Sequence, residues 1–240
     1  MSLLSVKRLS KSFRGLKAVS QASFEVPRGA IVALIGPNGA GKTTCFNAIA
    51  GVFRPDSGSI EFQEKDITNL RPDQVCAAGI GRTFQIVKPF AGLTVLDNVM
   101  VGAFLKEKTV SSAQVFSNSI LKKLNLHEKR DLPASSLTLP DRKRLEVARA
   151  LATRPQLLLL DEVMAGLRPT ESDEIVSVFR ELNRAEGLTI LLIEHVMRAV
   201  MALAQRVVVL NHGEVIARGA PQDVVRDPAV LECYLGEEAL

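Results

Sequence analysis

The sequence predicts an α/β domain built on a largely parallel central sheet, and three observations carry that prediction. Four short apolar runs, at 30–35, 157–160, 190–193 and 207–210, are rich in Val, Ile, Leu or Ala and are bordered by charges or turn residues. Strands buried on both faces have this character. Each run lies next to a helix-like segment, and alternating strands and helices imply a parallel sheet. Between the first run and its helix stands a glycine-rich stretch of the form G-x-x-x-x-G-K-[ST], which cradles phosphates.

The elements follow in order. Residues 3–35 and 58–66 alternate in strand fashion between Gly and Pro turns, which predicts an N-terminal antiparallel β portion. A helix is expected from 45 to 50, after the loop. Residues 87–150 look mostly helical and lack the apolar run of a central strand, so they read as a helical insertion. Within it, 141–153 is amphipathic, and Pro155 stops it. Further helices are expected at 171–185, ending at Gly187, and at 195–204. The tail, 213–240, has strand-turn-helix character. This organises the chain as a single domain, 1–240, with an α/β core at 1–86 and 154–240 and a helical subdomain at 87–153.

Composition narrows the class. The chain has 240 residues, 47% of them apolar but only 5% aromatic and none Trp, so its core rests on aliphatic side chains. The net charge is +4. Lys and Arg form no long block, so no nucleic-acid partner is expected. Cys45, Cys76 and Cys233 are odd in number and widely spaced, which argues against a disulfide framework or a zinc site and suits a reducing compartment. Residues 1–13 lack a signal-peptide core, and no apolar run approaches the roughly 20 residues a membrane span needs.

Two motifs carry chemistry. Gly36, Pro37, Asn38, Gly39, Ala40, Gly41, Lys42, Thr43 and Thr44 form the phosphate loop. Its glycines let the backbone wrap closely with N–H groups inward, and the helix N-terminus adds a favourable dipole for anions. Lys42 is placed to reach the β- and γ-phosphates, and Thr43 to offer its hydroxyl to Mg²⁺. The predicted class is a P-loop nucleoside triphosphatase acting on ATP. The run 157–160 then ends in Asp161 and Glu162, at the strand end where α/β sheets bind ligands. Asp161 is the candidate Mg²⁺ holder and Glu162 the candidate general base.

With these motifs in this order, the whole chain resembles the ATP-binding subunits of ABC transporters, and within them the subgroup serving importers of branched-chain amino acids. Three more residues enter through that resemblance. It implies that Phe13 stacks on adenine, although by itself Phe13 reads as a buried strand phenylalanine. Gln85, in Arg82-Thr83-Phe84-Gln85, is implied to touch Mg²⁺ and the attacking water. His195, after Ile193-Glu194, is implied to contact the γ-phosphate; alone, such a His reads as structural. The ending through Tyr234-Leu235-Gly236 is similar to that of the importer subgroup.

The resemblance further implies two ATPase subunits facing head to tail, each ATP held between one phosphate loop and the other subunit's signature motif. It implies transmembrane permease subunits docked in a groove lined by 86–99, where Ile86, Val87, Phe90 and Leu93 read equally as core. An indirect substrate-binding protein and a peripheral place on the cytoplasmic face of the membrane follow from it. The signature departs from the family's Leu-Ser-Gly-Gly-Gln. Here Leu137 is followed by Thr138, Leu139, Pro140 and Asp141. Leu139 replaces a permissive glycine, Pro140 has no N–H, and Asp141 brings negative charge toward an anion. Pro140 and Asp141 also suit a helix start. Val163 replaces a proline, and Arg168 stands where Asp or Asn is usual. These departures favour a heterodimer with a second ATPase subunit whose signature is intact. A soluble ABC-type ATPase, or a regulatory ATP binder with weak hydrolysis, is the alternative.

Overall fold

The structure, a computed structural model, describes residues 1–85 and 88–235. Ile86, Val87 and Gly236 lie outside the described residues. Among the described residues the strands form two sheets. The first is antiparallel, in the order β2-β1-β4-β5, from β1 (Ser2–Phe13), β2 (Leu16–Pro27), β4 (Ser57–Phe62) and β5 (Lys65–Asp66).

The second sheet has the order β10-β9-β3-β8-β7-β6. Its strands are β3 (Ile31–Ile35), β6 (Ile80–Arg82), β7 (Leu157–Asp161), β8 (Thr189–Ile193), β9 (Arg206–Asn211) and β10 (Glu214–Gly219). All pair in parallel except β10, which runs antiparallel to β9. The four apolar runs became β3, β7, β8 and β9, the middle of this sheet. Every residue of β3, β7 and β8 is buried, because packing covers both faces.

Two expectations need correction, and one strand was missed. The alternation over 3–35 does not continue as one antiparallel unit. Residues 31–35, buried on both faces, leave it for the parallel sheet. Strand β6 was not anticipated; three residues interrupted by Gly81 make too short an apolar run to read, and β6 is placed by pairing with β7. The expected helix at 195–204 is shorter: α7 is Met197–Leu203, with His195 and Val196 in the turn that leaves β8.

The other helices pack around the sheets. They are α1 (Lys42–Ile49), α2 (Pro72–Ala78), α3 (Val95–Ala103), α4 (Val110–Lys123), α5 (Leu139–Ala152) and α6 (Pro169–Glu186). After α7 come α8 (Pro221–Val224) and α9 (Pro228–Leu235). Within 88–153 lie α3, α4, α5 and two single 3₁₀ turns. Thr94 and Thr109 cap α3 and α4 by accepting from Asp97 N–H and Ser112 N–H, which satisfies donors the helix itself leaves open. Helix α6 begins with Pro169 and ends on Gly187 at φ 66°, the left-handed stop glycine tolerates best.

Two apolar clusters flank the parallel sheet. One joins it to α3–α7 through Leu158, Leu160, Ile190 and Leu192. The other joins it to α1 and the antiparallel sheet through Leu157, Leu159, Leu191 and Ile193. Alternate residues of β7 and β8 thus serve opposite layers. Leu191 is fully buried, so Leu191→Ala should cost about 2–5 kcal/mol of stability. Chemical denaturation of the full chain would detect it, and a change inside measurement error would contradict this packing.

Candidate functional site

The phosphate loop lies between β3 and α1. Gly41 is the N-cap of α1 at φ 99°, a conformation side chains rarely tolerate. Gly36, at φ 145°, approaches the carbonyl of Leu210 so closely that a Cβ there would sit 2.0 Å from its oxygen. At Gly41 a Cβ would meet Ala18 O at 2.3 Å. These contacts hold the loop against β9 and the antiparallel sheet. The loop is also tied by Gly213 N–H donating to Ala40 O at 3.0 Å. Lys42 is buried, and its ammonium donates to Gly36 O at 2.6 Å and Pro37 O at 2.8 Å. It thus folds back over its own loop. Thr43 is exposed and Thr44 half-buried in the first turn of α1.

The strand ends bring the acids together. Asp161 closes β7 opposite Ile193 of β8, so Glu162 and Glu194 follow side by side. Asp161 is buried and paired with Arg82, Nη2 to Oδ2 at 3.1 Å. Arg82 also donates to Asn47 of α1 at 2.7 Å. The second oxygen of Asp161, Oδ1, is buried without a hydrogen-bond partner. Buried polar atoms are seldom left so, and an unpartnered carboxylate oxygen at a strand end beside a phosphate loop suits a hard cation. Among the described residues no group of three His, Cys, Asp or Glu side chains is gathered to hold an ion alone. Burial pushes the Asp161 carboxyl above its usual range, against the pull of Arg82.

Around Glu162 the sequence-predicted residues converge. Gln85 Nε2 donates to Glu162 Oε2 at 2.7 Å. His195 Nδ1 lies 3.6 Å from Glu162 Oε1. Glu162 itself has φ 49°, a left-handed backbone that a non-glycine residue keeps only when its surroundings impose it. Phe13 stands apart from this cluster. It is exposed at the end of β1, not buried in the strand, and its ring meets Phe53 edge-on with centroids 5.3 Å apart. Lys11 Nζ lies 5.6 Å from each ring.

The stretch 138–141 opens α5. The helix begins at Leu139, two residues before the expected 141, with Thr138 as N-cap and Pro140 in the first turn, where proline's missing N–H is harmless. Asp141 does not project outward. It is buried, accepts from Thr138 Oγ1 at 2.8 Å, and pairs with Lys129. The expected charge facing a partner's anion is therefore turned inward and neutralised, while the Thr138 hydroxyl is engaged within the chain. Leu139 is exposed, and Arg168 is exposed and paired with Glu171.

Sequence reasoning gave Glu194 and Lys143 no role. Glu194 is buried and accepts from Met164 N–H at 2.9 Å; burial raises its pKa. An acid closing an apolar run was the signal, the same one that marked Asp161. Lys143, on α5, is buried and donates to Glu162 O at 3.1 Å; among the basic residues of its helix nothing in the sequence distinguished it.

A glycine-wrapped loop between a buried parallel strand and a helix, with an acid pair ending another strand of the same sheet, defines a P-loop nucleoside triphosphatase. Residues 19–165 match the family described as ABC transporter, and 214–239 match that described as branched-chain amino acid ATP-binding cassette transporter. The high-affinity branched-chain amino acid transport ATP-binding protein LivG of Salmonella typhimurium is 39% identical over 250 residues, covering 98% of each chain. The lipopolysaccharide export system ATP-binding protein LptB of Acidithiobacillus ferridurans is 38% identical over 236 residues, again covering 98% of each. Among solved structures, the ADP conformation of an ATP-binding cassette of an ABC transporter is 33% identical with a TM-score of 0.89, covering 98% of this chain and 99% of that one. The chain belongs to the ABC transporter family and is its ATP-binding cassette, an ATPase. No helix among the described residues is long and apolar enough to cross a membrane.

The close approach at Gly36 makes a direct prediction. Gly36→Ala should weaken ATP binding by about tenfold or more, since the methyl group can enter only by moving the loop or β9. Titration with a fluorescent ATP analogue measures this, and parent-like affinity would contradict the loop geometry.

Proposed function

We propose that this chain is the ATP-hydrolysing subunit of an importer for branched-chain amino acids or a related small molecule. The observation that carries the importer reading is the match of 214–239 to the branched-chain cassette family. Export has its own support in the likeness to the lipopolysaccharide export protein. That likeness is of the same order as the one to LivG, so the carboxyl-terminal match is what favours import. Two such subunits face each other, with permease subunits docked beside the Gln85 segment and a substrate-binding protein upstream. The chain then sits peripherally on the cytoplasmic face of the membrane. Residues 1–86 and 154–240 form the ATPase core of one domain, and 87–153 form the helical subdomain that offers the signature to the partner.

In this reading ATP lies over the phosphate loop, with Phe13 against the adenine. Lys42 leaves the carbonyls of Gly36 and Pro37 for the β- and γ-phosphates. Backbone N–H groups of the loop from Asn38 to Thr44 surround the phosphate oxygens. Thr43, Asp161 and Gln85 would hold Mg²⁺, which when bound would draw charge from the phosphates; the unpartnered Oδ1 of Asp161 supports this. Glu162 takes a proton from the attacking water as its oxygen bonds to the γ-phosphorus and the bond to the β–γ bridging oxygen breaks. Gln85 and His195, on either side of Glu162, orient the carboxylate and the γ-phosphate. Thr138, Leu139, Pro140 and Asp141 complete the partner's site. With Thr138 engaged and Pro140 lacking an N–H, they complete it poorly, which favours a second, different ATPase subunit as partner.

Three experiments test this. Glu162→Gln should abolish steady-state ATP hydrolysis, a loss of about 100-fold or more, while ATP binding persists; parent-rate turnover would remove Glu162 as the base. Restoring Ser-Gly-Gly-Gln at 138–141 should raise turnover of the assembled transporter, and unchanged turnover would sink the weak-site reading. In proteoliposomes with permease and binding protein, leucine, isoleucine or valine should stimulate ATP hydrolysis. Stimulation by lipopolysaccharide instead would overturn import.

A further inference from the structure

We infer that Lys143 is a positioning residue for ATP hydrolysis, holding the main-chain carbonyl of Glu162 and through it the carboxylate that takes the proton. The inference rests on the assignment of Glu162 as general base.

Lysine is rarely buried unless something receives its charge, yet Lys143 is 5% exposed. Its direct partner is not a carboxylate. Nζ donates to the peptide oxygen of Glu162 at 3.1 Å. A hydrogen bond to a backbone carbonyl fixes the orientation of that peptide, and Glu162 is the residue whose backbone needs fixing, since its φ is 49°. Such a conformation persists where the surrounding structure over-determines it.

The surroundings do so from more than one element. Glu162 N–H donates to Ile193 O at 3.0 Å, and Ala165 N–H donates back to Glu162 O at 3.2 Å. Two residues on, Met164 N–H donates to Glu194 at 2.9 Å. The turn after β7 is thus pinned by β8 on one side and by Lys143 of α5 on the other. The charge of Lys143 is also answered. Burial disfavours the ammonium, while Glu194, Glu162, Asp161 and Glu146 favour it. A neutral side chain of the same length would leave those acids facing one another and the carbonyl with one partner fewer.

The position of Lys143 on α5 adds a consequence. The same helix opens with Thr138, Leu139, Pro140 and Asp141, the segment offered to the partner's ATP in the proposed dimer. One rigid helix therefore connects the loop that contributes to one composite site with the peptide that orients the base in the other. A displacement of α5 when the partner binds ATP shifts the Lys143 contact directly.

The test uses the full-length chain in its assembled transporter. Lys143→Met should lower kcat by about 10- to 100-fold, the range a small misplacement of a catalytic group produces, with KM for ATP and affinity for a fluorescent ATP analogue unchanged. Lys143→Arg, which keeps a long cationic donor, should recover most of the lost kcat. A purely structural role predicts neither the split between kcat and KM nor the recovery. If Lys143→Met fails to fold, Lys143→Leu, which also lacks a donor, replaces it with the same expected loss. Parent-like kcat in the folded variant, or a raised KM at unchanged kcat, overturns the inference. Glu162→Gln run in parallel separates the two failures. If it is inactive while the Lys143 variant is not, only the role of Lys143 falls. If it hydrolyses ATP normally, the base assignment falls and takes this inference with it.

Discussion

Negative charge gathered at the ends of two adjacent buried strands is the constraint on which the rest of the site depends. Strand register sets Asp161 opposite Ile193, so Asp161, Glu162 and Glu194 leave the sheet together. Isolated burial of carboxylates is strongly unfavourable, and placing them side by side adds repulsion. The surrounding residues answer that charge one acid at a time. Arg82 pairs with Asp161, Lys143 acts on the acids around it, and Met164 N–H donates to Glu194. The arrangement is expensive for folding alone, as buried ion pairs commonly are. In the proposed mechanism a site that binds a polyanion and moves a proton accounts for it.

The phosphate loop shows the complementary arrangement. Lys42 is a cation waiting over carbonyls of its own loop. Its partners there are neutral oxygens, whose attraction for an ammonium is weaker than that of charged acceptors. In the proposed reading the triphosphate draws the side chain away from these two carbonyls. Acid at the ends of β7 and β8 and base at the start of α1 flank the crevice where parallel sheets bind their ligands. Arg82 bridges the two sides by contacting both Asp161 and Asn47 of α1.

Legibility in the sequence followed the physics of each feature. The middle strands could be read because burial on both faces leaves continuous apolar runs, as at 157–160 and 190–193. The phosphate loop could be read because its conformation needs glycine at fixed spacing. Strand β6 could not, since Ile80, Gly81 and Arg82 carry no pattern of their own and depend on pairing with β7. Lys143 could not either. It lies in a basic stretch with Arg142 and Arg144, and only the fold shows that its side chain is the one turned toward the Glu162 peptide. The inward turn of Asp141 was hidden for the same reason, because Lys129, twelve residues away, reaches it only after the helical segment has packed.

The altered signature shows two opposing effects of one residue. Burying Asp141 against Lys129 removes a charge that would otherwise face the partner's anion. The same carboxylate engages the hydroxyl of Thr138, a side-chain donor the loop retains. The charge of Asp141 is already answered by Lys129 within its own chain. A hydrogen bond to a charged group contributes about 1.5–3 kcal/mol. The Thr138 hydroxyl, held by Asp141, is a donor of that size withheld from the partner's phosphate. In the proposed dimer, then, the weakness of the second site lies in missing donors at Thr138 and Pro140 and not in misplaced charge. In that proposed dimer a partner with an intact signature would complete the site over this chain's phosphate loop, and the site completed by 138–141 would be the weaker of the two.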